Sequence, residues 1–226
     1  MTRTIEKTRY GTLPSTISLK IREPGSALTH FAALVLLTAG SGPLMIHAKE
    51  SGSRLTMVGA AIFLMTSCLL YAASTCYHTV VLDERRTTIF RKMDHISIAI
   101  MIAGSYTPLT LIVFRGVLGW VMFGVIWFAA ILGVVLNSIN VERFKKFSMI
   151  TYVLMGWAVI VTLGPLVKSV ATGGVTLLAV GGIMYTVGIV FYKLQKKVRY
   201  MHSIWHLFVI AGALFQFFGI FFYILL

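Results

Sequence analysis

Charge is scarce in this sequence, and acid is scarcer still. Of 226 residues 12% are charged, with 7 acids against 20 bases, while 58% are hydrophobic. A soluble domain carries about a quarter charged residues, so a water-facing surface cannot be built from this composition. Cysteine is nearly absent. Cys68 and Cys76 lie in one apolar run, about 12 Å apart along a helix, beyond the span of a disulfide. A cross-linked secreted scaffold is therefore excluded, and both cysteines read as small apolar packers. Internal repeats and low-complexity tracts are lacking. The first 26 residues are polar and lack a short apolar stretch ahead of a small-residue cleavage site, so no cleaved leader is expected. A basic aqueous domain is missing too, which excludes a nucleic-acid groove. The net charge of +13 is instead expected to meet anionic headgroups of the inner leaflet.

What the sequence does have is apolar length. Uncharged windows cover residues 24–48, 55–82, 95–114, 116–141, 147–167, 169–192 and 200–226, each offering roughly the 20 residues a spanning helix needs. They predict an all-α polytopic membrane protein, a seven-helix bundle with spans near 28–47, 57–80, 96–114, 117–137, 148–167, 174–192 and 203–225. The third and fourth are parted only by a tight turn at Arg115-Gly116. The expected organisation is a polar, basic tail over 1–26 and one membrane domain over 27–226.

The basic residues orient this bundle. Arg3, Lys7, Arg9, Lys20 and Arg22 precede the first span; Arg85, Arg86, Arg91 and Lys92 fall between the second and third. Arg143, Lys145 and Lys146 lie between the fourth and fifth, and Lys193, Lys196, Lys197 and Arg199 between the sixth and seventh. Only Lys49, Arg54, Arg115 and Lys168 fall on the other side. Cytoplasmic loops carry the excess of Lys and Arg, so the N-terminus is expected in the cytoplasm and the C-terminus outside.

With that orientation, several polar residues reach one depth. The segment "VRYMHSIWHLFVI", Val198 to Ile210, carries His202 and His206 four residues apart as the last span begins. In the second span Ser67, Tyr71, Ser74 and His78 recur on one helical face, and Asp94 and His95 open the third. Ionisable groups inside a membrane are costly and mark function. Three histidines plus one water form a recurring catalytic zinc shell, and an i,i+4 pair can reach one ion from one helix face. His202, His206 and His78 are thus candidate Zn²⁺ ligands. Asp94 is a candidate base beside the metal-bound water, and Ser74 a support for either. Each residue also has a plainer reading. The histidine pair can face headgroups, Asp94 can cap the third helix, and Ser74 can bond its own backbone. His47 reads as interfacial, and His30 as lying near the rim of the site.

The stretches "EPGSALTH" (Glu23 to His30), "STCYH" (Ser74 to His78), "MDHISIAIMIAGSYTP" (Met93 to Pro108) and "HSIWH" (His202 to His206) resemble the motifs of the hemolysin III family. That family is the bacterial branch of the progestin and adiponectin receptor superfamily. The resemblance covers nearly the whole chain from Glu23. It implies seven helices with a cytoplasmic N-terminus in the cell membrane, and zinc on His78, His202 and His206. It also implies that Asp94 contacts the metal-bound water with Ser74 beside it. Ser26 departs from the Asn that often stands in the first motif. Microbial rhodopsins fit worse, since no lysine follows Arg199 to link retinal, and G-protein-coupled receptors have the opposite orientation.

Three functions follow as expectations. The first is a zinc hydrolase acting on an amide or ester of a membrane lipid, similar to the ceramidase-like activity of relatives. The second is a lipid-sensing regulator of membrane composition with structural zinc. The third, a cytolytic pore, fits a seven-span protein poorly, since a pore former must leave its cell to insert elsewhere.

Overall fold

A computed structural model describes residues 21–80 and 83–225. Among them every regular element is helical: α1 (Pro24–Glu50), α2 (Arg54–Thr79), α3 (Glu84–Pro108), α4 (Val117–Trp157), α5 (Leu163–Ser169), α6 (Thr172–Leu194) and α7 (Met201–Tyr223). A π-helical turn, Leu109–Val113, extends α3, and a 3₁₀ stretch, Ala158–Thr162, joins α4 to α5. Most of the expected tail, including Arg3, Lys7, Arg9 and Lys20, lies outside the described residues.

Local chemistry explains the ends. Pro24 opens α1, where a missing N–H costs nothing. Ser53 caps α2 by accepting from Thr56 N at 3.3 Å, and Asp83 caps α3 by accepting from Arg86 N at 2.9 Å. That last cap starts α3 about three turns before the apolar window, because a charged helical stretch can project beyond the apolar length. Asp94 is consequently in the interior of a helix, so its capping role is ruled out. Pro108 has no N–H to return to the carbonyl one turn back, and the chain widens there into the π turn. Gly116 then turns the chain with φ 75°, a conformation open to glycine, at the tight turn the sequence predicted.

Among the described residues six helical runs are long and apolar enough to cross a membrane, where the sequence pattern predicted seven. The difference lies in Val117–Ser169, a run of 53 residues that takes in both the fourth and the fifth expected spans. It is not one straight rod. Asn140 has φ −157° and ψ 105°, and its side chain accepts from Arg143 N at 3.0 Å, as a helix N-cap does. Further along, the Tyr106 hydroxyl donates to Gly156 O at 2.8 Å and accepts from Val159 N at 2.9 Å. A side chain inserted into the ladder in this way bends a helix, and the 3₁₀ stretch begins at that point.

The helices pack side by side in the order α4, α3, α2, α1, α7, α6. The α6–α7 seam rests on small residues. The buried residues of α6 are Gly174, Gly181 and Gly188, seven apart, and a Cβ on Gly181 would stand 3.0 Å from Gly212 O. Close backbone approach of this kind is how helices associate in lipid. By contrast α6 touches α4 and α5 only sparsely, which leaves room for a cavity between them. The largest apolar core, including Leu44, Phe63, Leu109, Leu166 and Ile220, fills the end of the bundle remote from His78, His202 and His206.

Candidate metal centre

His78 sits in the last turn of α2, and the chain preceding α1 is bolted beneath it. The backbone N–H of Glu23 donates to His78 O at 3.0 Å, and that of Arg22 to Thr79 O at 3.4 Å. These bonds satisfy carbonyls that a helix end leaves open. The Arg22 guanidinium lies 3.8 Å over the Tyr77 ring. Pinned this way, Glu23 holds Oε2 3.1 Å from His78 Nδ1, close in distance though off the line of a hydrogen bond. Glu23 is 44% exposed. The His78 imidazole lowers its carboxyl to about 2, working against partial burial.

His202 and His206 enter from α7, which starts after Tyr200, a non-glycine residue at φ 65°. Their ring centroids are 4.6 Å apart, and His78 lies 4.9 Å from His202 and 5.1 Å from His206. One nitrogen from each of the three rings lies within 4.8 Å of the others. The other nitrogens face oxygen. His206 Nδ1 lies 3.2 Å from Ser26 O and 3.3 Å from Thr29 Oγ1, and His202 Nδ1 bonds Gln195 Oε1.

This pattern has a chemical consequence. A backbone carbonyl can only accept, so His206 Nδ1 carries the proton and Nε2 carries a lone pair in the neutral ring. The same holds for His202 against an amide oxygen, and the Glu23 carboxylate 3.1 Å from His78 Nδ1 favours a proton there by its charge, without a hydrogen bond. His78 Nε2 and His202 Nε2 then face one another across 3.2 Å as two acceptors, while buried His206 Nε2 has no partner among the described residues. A cation between them resolves this. Ligands on a tetrahedral ion with 2.0–2.1 Å bonds stand roughly 3.3 Å apart; the His78–His202 pair has that spacing, and the three nitrogens, all within 4.8 Å of one another, could hold a small divalent metal. Oxygen partners on the far nitrogens are what fix ligand imidazoles in orientation and tautomer.

The remaining predicted residues are placed as follows. Asp94 is 5% exposed and lines the same cavity as His78 and His202. Its Oδ2 is 3.7 Å from His95 Nδ1, and it is not a member of the three-imidazole group. Ser74 is fully buried, and its hydroxyl bonds neither its own backbone nor any other described residue. His47 is distant from the group, beside Glu50 and Phe221. His30 is more central than a rim residue. It stacks flat on His206, with centroids 3.7 Å apart and planes 4° apart. The cavity measures about 870 Å³ and runs from these groups past Leu70, Ile98, Met101, Leu109 and Leu178 to Tyr185 and Gln216. Sequence reasoning on spacing missed Glu23, Gln195 and Thr29 as partners of the imidazoles. Only the Glu23-Pro24 pair gave a signal, as an acid where a helix begins.

The sequence matches the family described as "Haemolysin-III related" over residues 19–217. The chain belongs to that family. This haemolysin-III-related chain is similar to "Hemolysin-3" of Bacillus cereus, 38% identical over 203 residues, covering 90% of this chain and 92% of that protein. It is similar to the "Hemolysin-3 homolog" of Bacillus subtilis (strain 168), 36% identical over 201 residues, covering 89% and 93%. It also matches the human "Monocyte to macrophage differentiation factor", 31% identical over 202 residues, covering 87% and 82%. These matches agree with the progestin and adiponectin receptor superfamily that the motifs pointed to.

Proposed function

We propose that this chain is a zinc-dependent hydrolase of the cell membrane that cleaves an amide or ester bond of a membrane lipid. The supporting observation is the convergence of three imidazole nitrogens, His78, His202 and His206, two of which, His78 and His202, line a cavity with mostly apolar walls. Such a cavity suits an acyl chain whose carbonyl lies at the histidines. In this reading the chain crosses the membrane seven times, with Val117–Ser169 crossing twice about Asn140. The N-terminus is cytoplasmic and the C-terminus outside.

Zinc, when bound, polarises a carbonyl and makes water a nucleophile near neutral pH. The rest belongs to the residues of the chain. Glu23, Gln195 and the Ser26 carbonyl hold the far nitrogens of the three rings, so that the near nitrogens keep their lone pairs. The Asp94 carboxylate takes the proton of the attacking water as its oxygen adds to the carbonyl carbon. It returns that proton to the leaving nitrogen or oxygen as the carbon–heteroatom bond breaks. The unpartnered Ser74 hydroxyl supports this carboxylate or the water. The apolar walls keep other water out.

The alternative is a lipid-sensing regulator with structural zinc, which a fourth protein ligand on the metal would favour. The test is to incubate wild type and Asp94→Asn with a panel of ceramides and phospholipids in a native-like bilayer, measuring released fatty acid and bound zinc together. The hydrolase predicts retained zinc and a fall in hydrolysis of about 10²–10⁴-fold. Wild-type protein that keeps zinc and releases no fatty acid from any lipid moves the conclusion to the regulator. His202→Ala and His206→Ala should each remove most of the zinc, and His47→Ala should not; equal zinc in all three sinks the site.

A further inference from the structure

His30 is a deeply buried polar side chain near the site that the mechanism above leaves unused. It is 2% exposed, and neither ring nitrogen has a hydrogen-bond partner among the described residues. Buried polar groups are nearly always paired, and an imidazole always offers at least one N–H. Two idle nitrogens on one ring therefore call for a partner that is not part of the protein. The cavity supplies the place, because His30 is one of its lining residues.

Geometry excludes the metal as that partner. An imidazole binds an ion along a lone pair in the plane of its ring. His30 lies parallel to His206, 4° off and 3.7 Å away. An ion in the plane of His206 is thus about one ring thickness out of the plane of His30. The same stack sets the His30 nitrogens beside the metal group rather than within it, while Tyr71 meets the ring edge-on at 5.3 Å and limits its rotation.

The surroundings select the kind of partner. A phosphate or sulfate would call for a free guanidinium fork beside the ring. The cations that line the cavity are engaged elsewhere: Arg22 with Glu23 and Tyr77, Arg91 with Glu142 at 2.9 Å, Arg199 over the Tyr200 ring at 4.7 Å and Lys145 over the Tyr192 ring at 5.3 Å. The Ser26 and Ser203 hydroxyls are bonded to each other at 3.1 Å. What remains is a single ring donor at the head of an apolar cavity, which suits one acyl oxygen.

We propose that His30 is the residue that holds the acyl oxygen of a lipid in this cavity, donating a ring N–H to its carbonyl or carboxylate, and is not a metal ligand. The acyl class of the ligand rests on the hydrolase reading above. His30 touches the lipid directly and leaves the metal to the other three histidines.

Two substitutions separate this from a packing role. His30→Phe keeps a flat ring against His206 and Tyr71 and removes both nitrogens. His30→Gln gives up the stack and restores a donor. The probe is dibromostearate, which quenches tryptophan, and Trp157 and Trp205 both line the cavity. Binding is read by quenching in zinc-loaded protein, with palmitate as competitor, alongside metal content and thermal midpoint. We expect His30→Phe to keep wild-type zinc and to bind dibromostearate roughly tenfold more weakly, the worth of one buried hydrogen bond. His30→Gln should recover most of the loss. Unchanged affinity in His30→Phe overturns the proposal, and so does loss of zinc from both variants. If His30→Phe does not fold, His30→Leu takes its place against His30→Gln. Turnover is scored separately. A wild type that binds dibromostearate but hydrolyses nothing ends the hydrolase reading and leaves His30 its role. Normal binding and hydrolysis in His30→Phe does the reverse.

Discussion

Glu23→Gln isolates what the far side of an imidazole contributes to metal binding. The carboxylate lies 3.1 Å from His78 Nδ1 and is held there by two backbone bonds to the end of α2, so the substitution removes a charge without moving the chain. Loss of an outer partner costs about 10–100-fold in metal affinity. Two features argue for the lower end: Glu23 is 44% exposed, so water screens it, and the contact is off the hydrogen-bond axis. A loss of about tenfold, or 1.4 kcal/mol, is expected. The assay is zinc competition against a fluorescent chelator with purified protein in micelles. Gln195→Ala is the matching variant for His202, and Glu50→Gln is a control beside His47. The reasoning is refuted if Glu23→Gln holds zinc as tightly as wild type, or if it loses as much as His78→Ala, which would make the carboxylate a ligand.

Two further outcomes test the fold. A Cβ at Gly104 would overlap the Thr66 side chain between α2 and α3, so Gly104→Ala should cost about 1–3 kcal/mol as overpacking and lower the thermal midpoint by several degrees; Gly42→Ala, which meets nothing within 4 Å, should not, and equal midpoints would count against this helix pairing. A reporter fused after Leu226 should lie outside the cell and one before Met1 inside, whereas two reporters on one side would exclude an odd number of crossings.

Composition and spacing made legible the class of the protein and where to look for a candidate site. Twelve per cent charge and long uncharged windows leave no alternative to lipid as solvent, because apolar runs of this length can satisfy their backbone there only as helices. The 3.6-residue repeat put His202 and His206 on one face, and the charges at the window edges put His78 at the same depth. The same signal did not show how one helix passes into the next between the fourth and fifth spans. Apolar length reports where a chain can be buried, not where the helix stops, and the charged residues after Asn140 continue as helix behind its cap. Tertiary structure alone decided the partners of the histidines. Glu23 reaches His78 from 55 positions away, Ser26 and Thr29 reach His206 across about 180, and His30 lies flat on His206 by the packing of α1 against α7. No periodicity within one helix encodes contacts between helices, which depend on how the bundle closes. That closure brought one ring nitrogen from each of three histidines within 4.8 Å of the others.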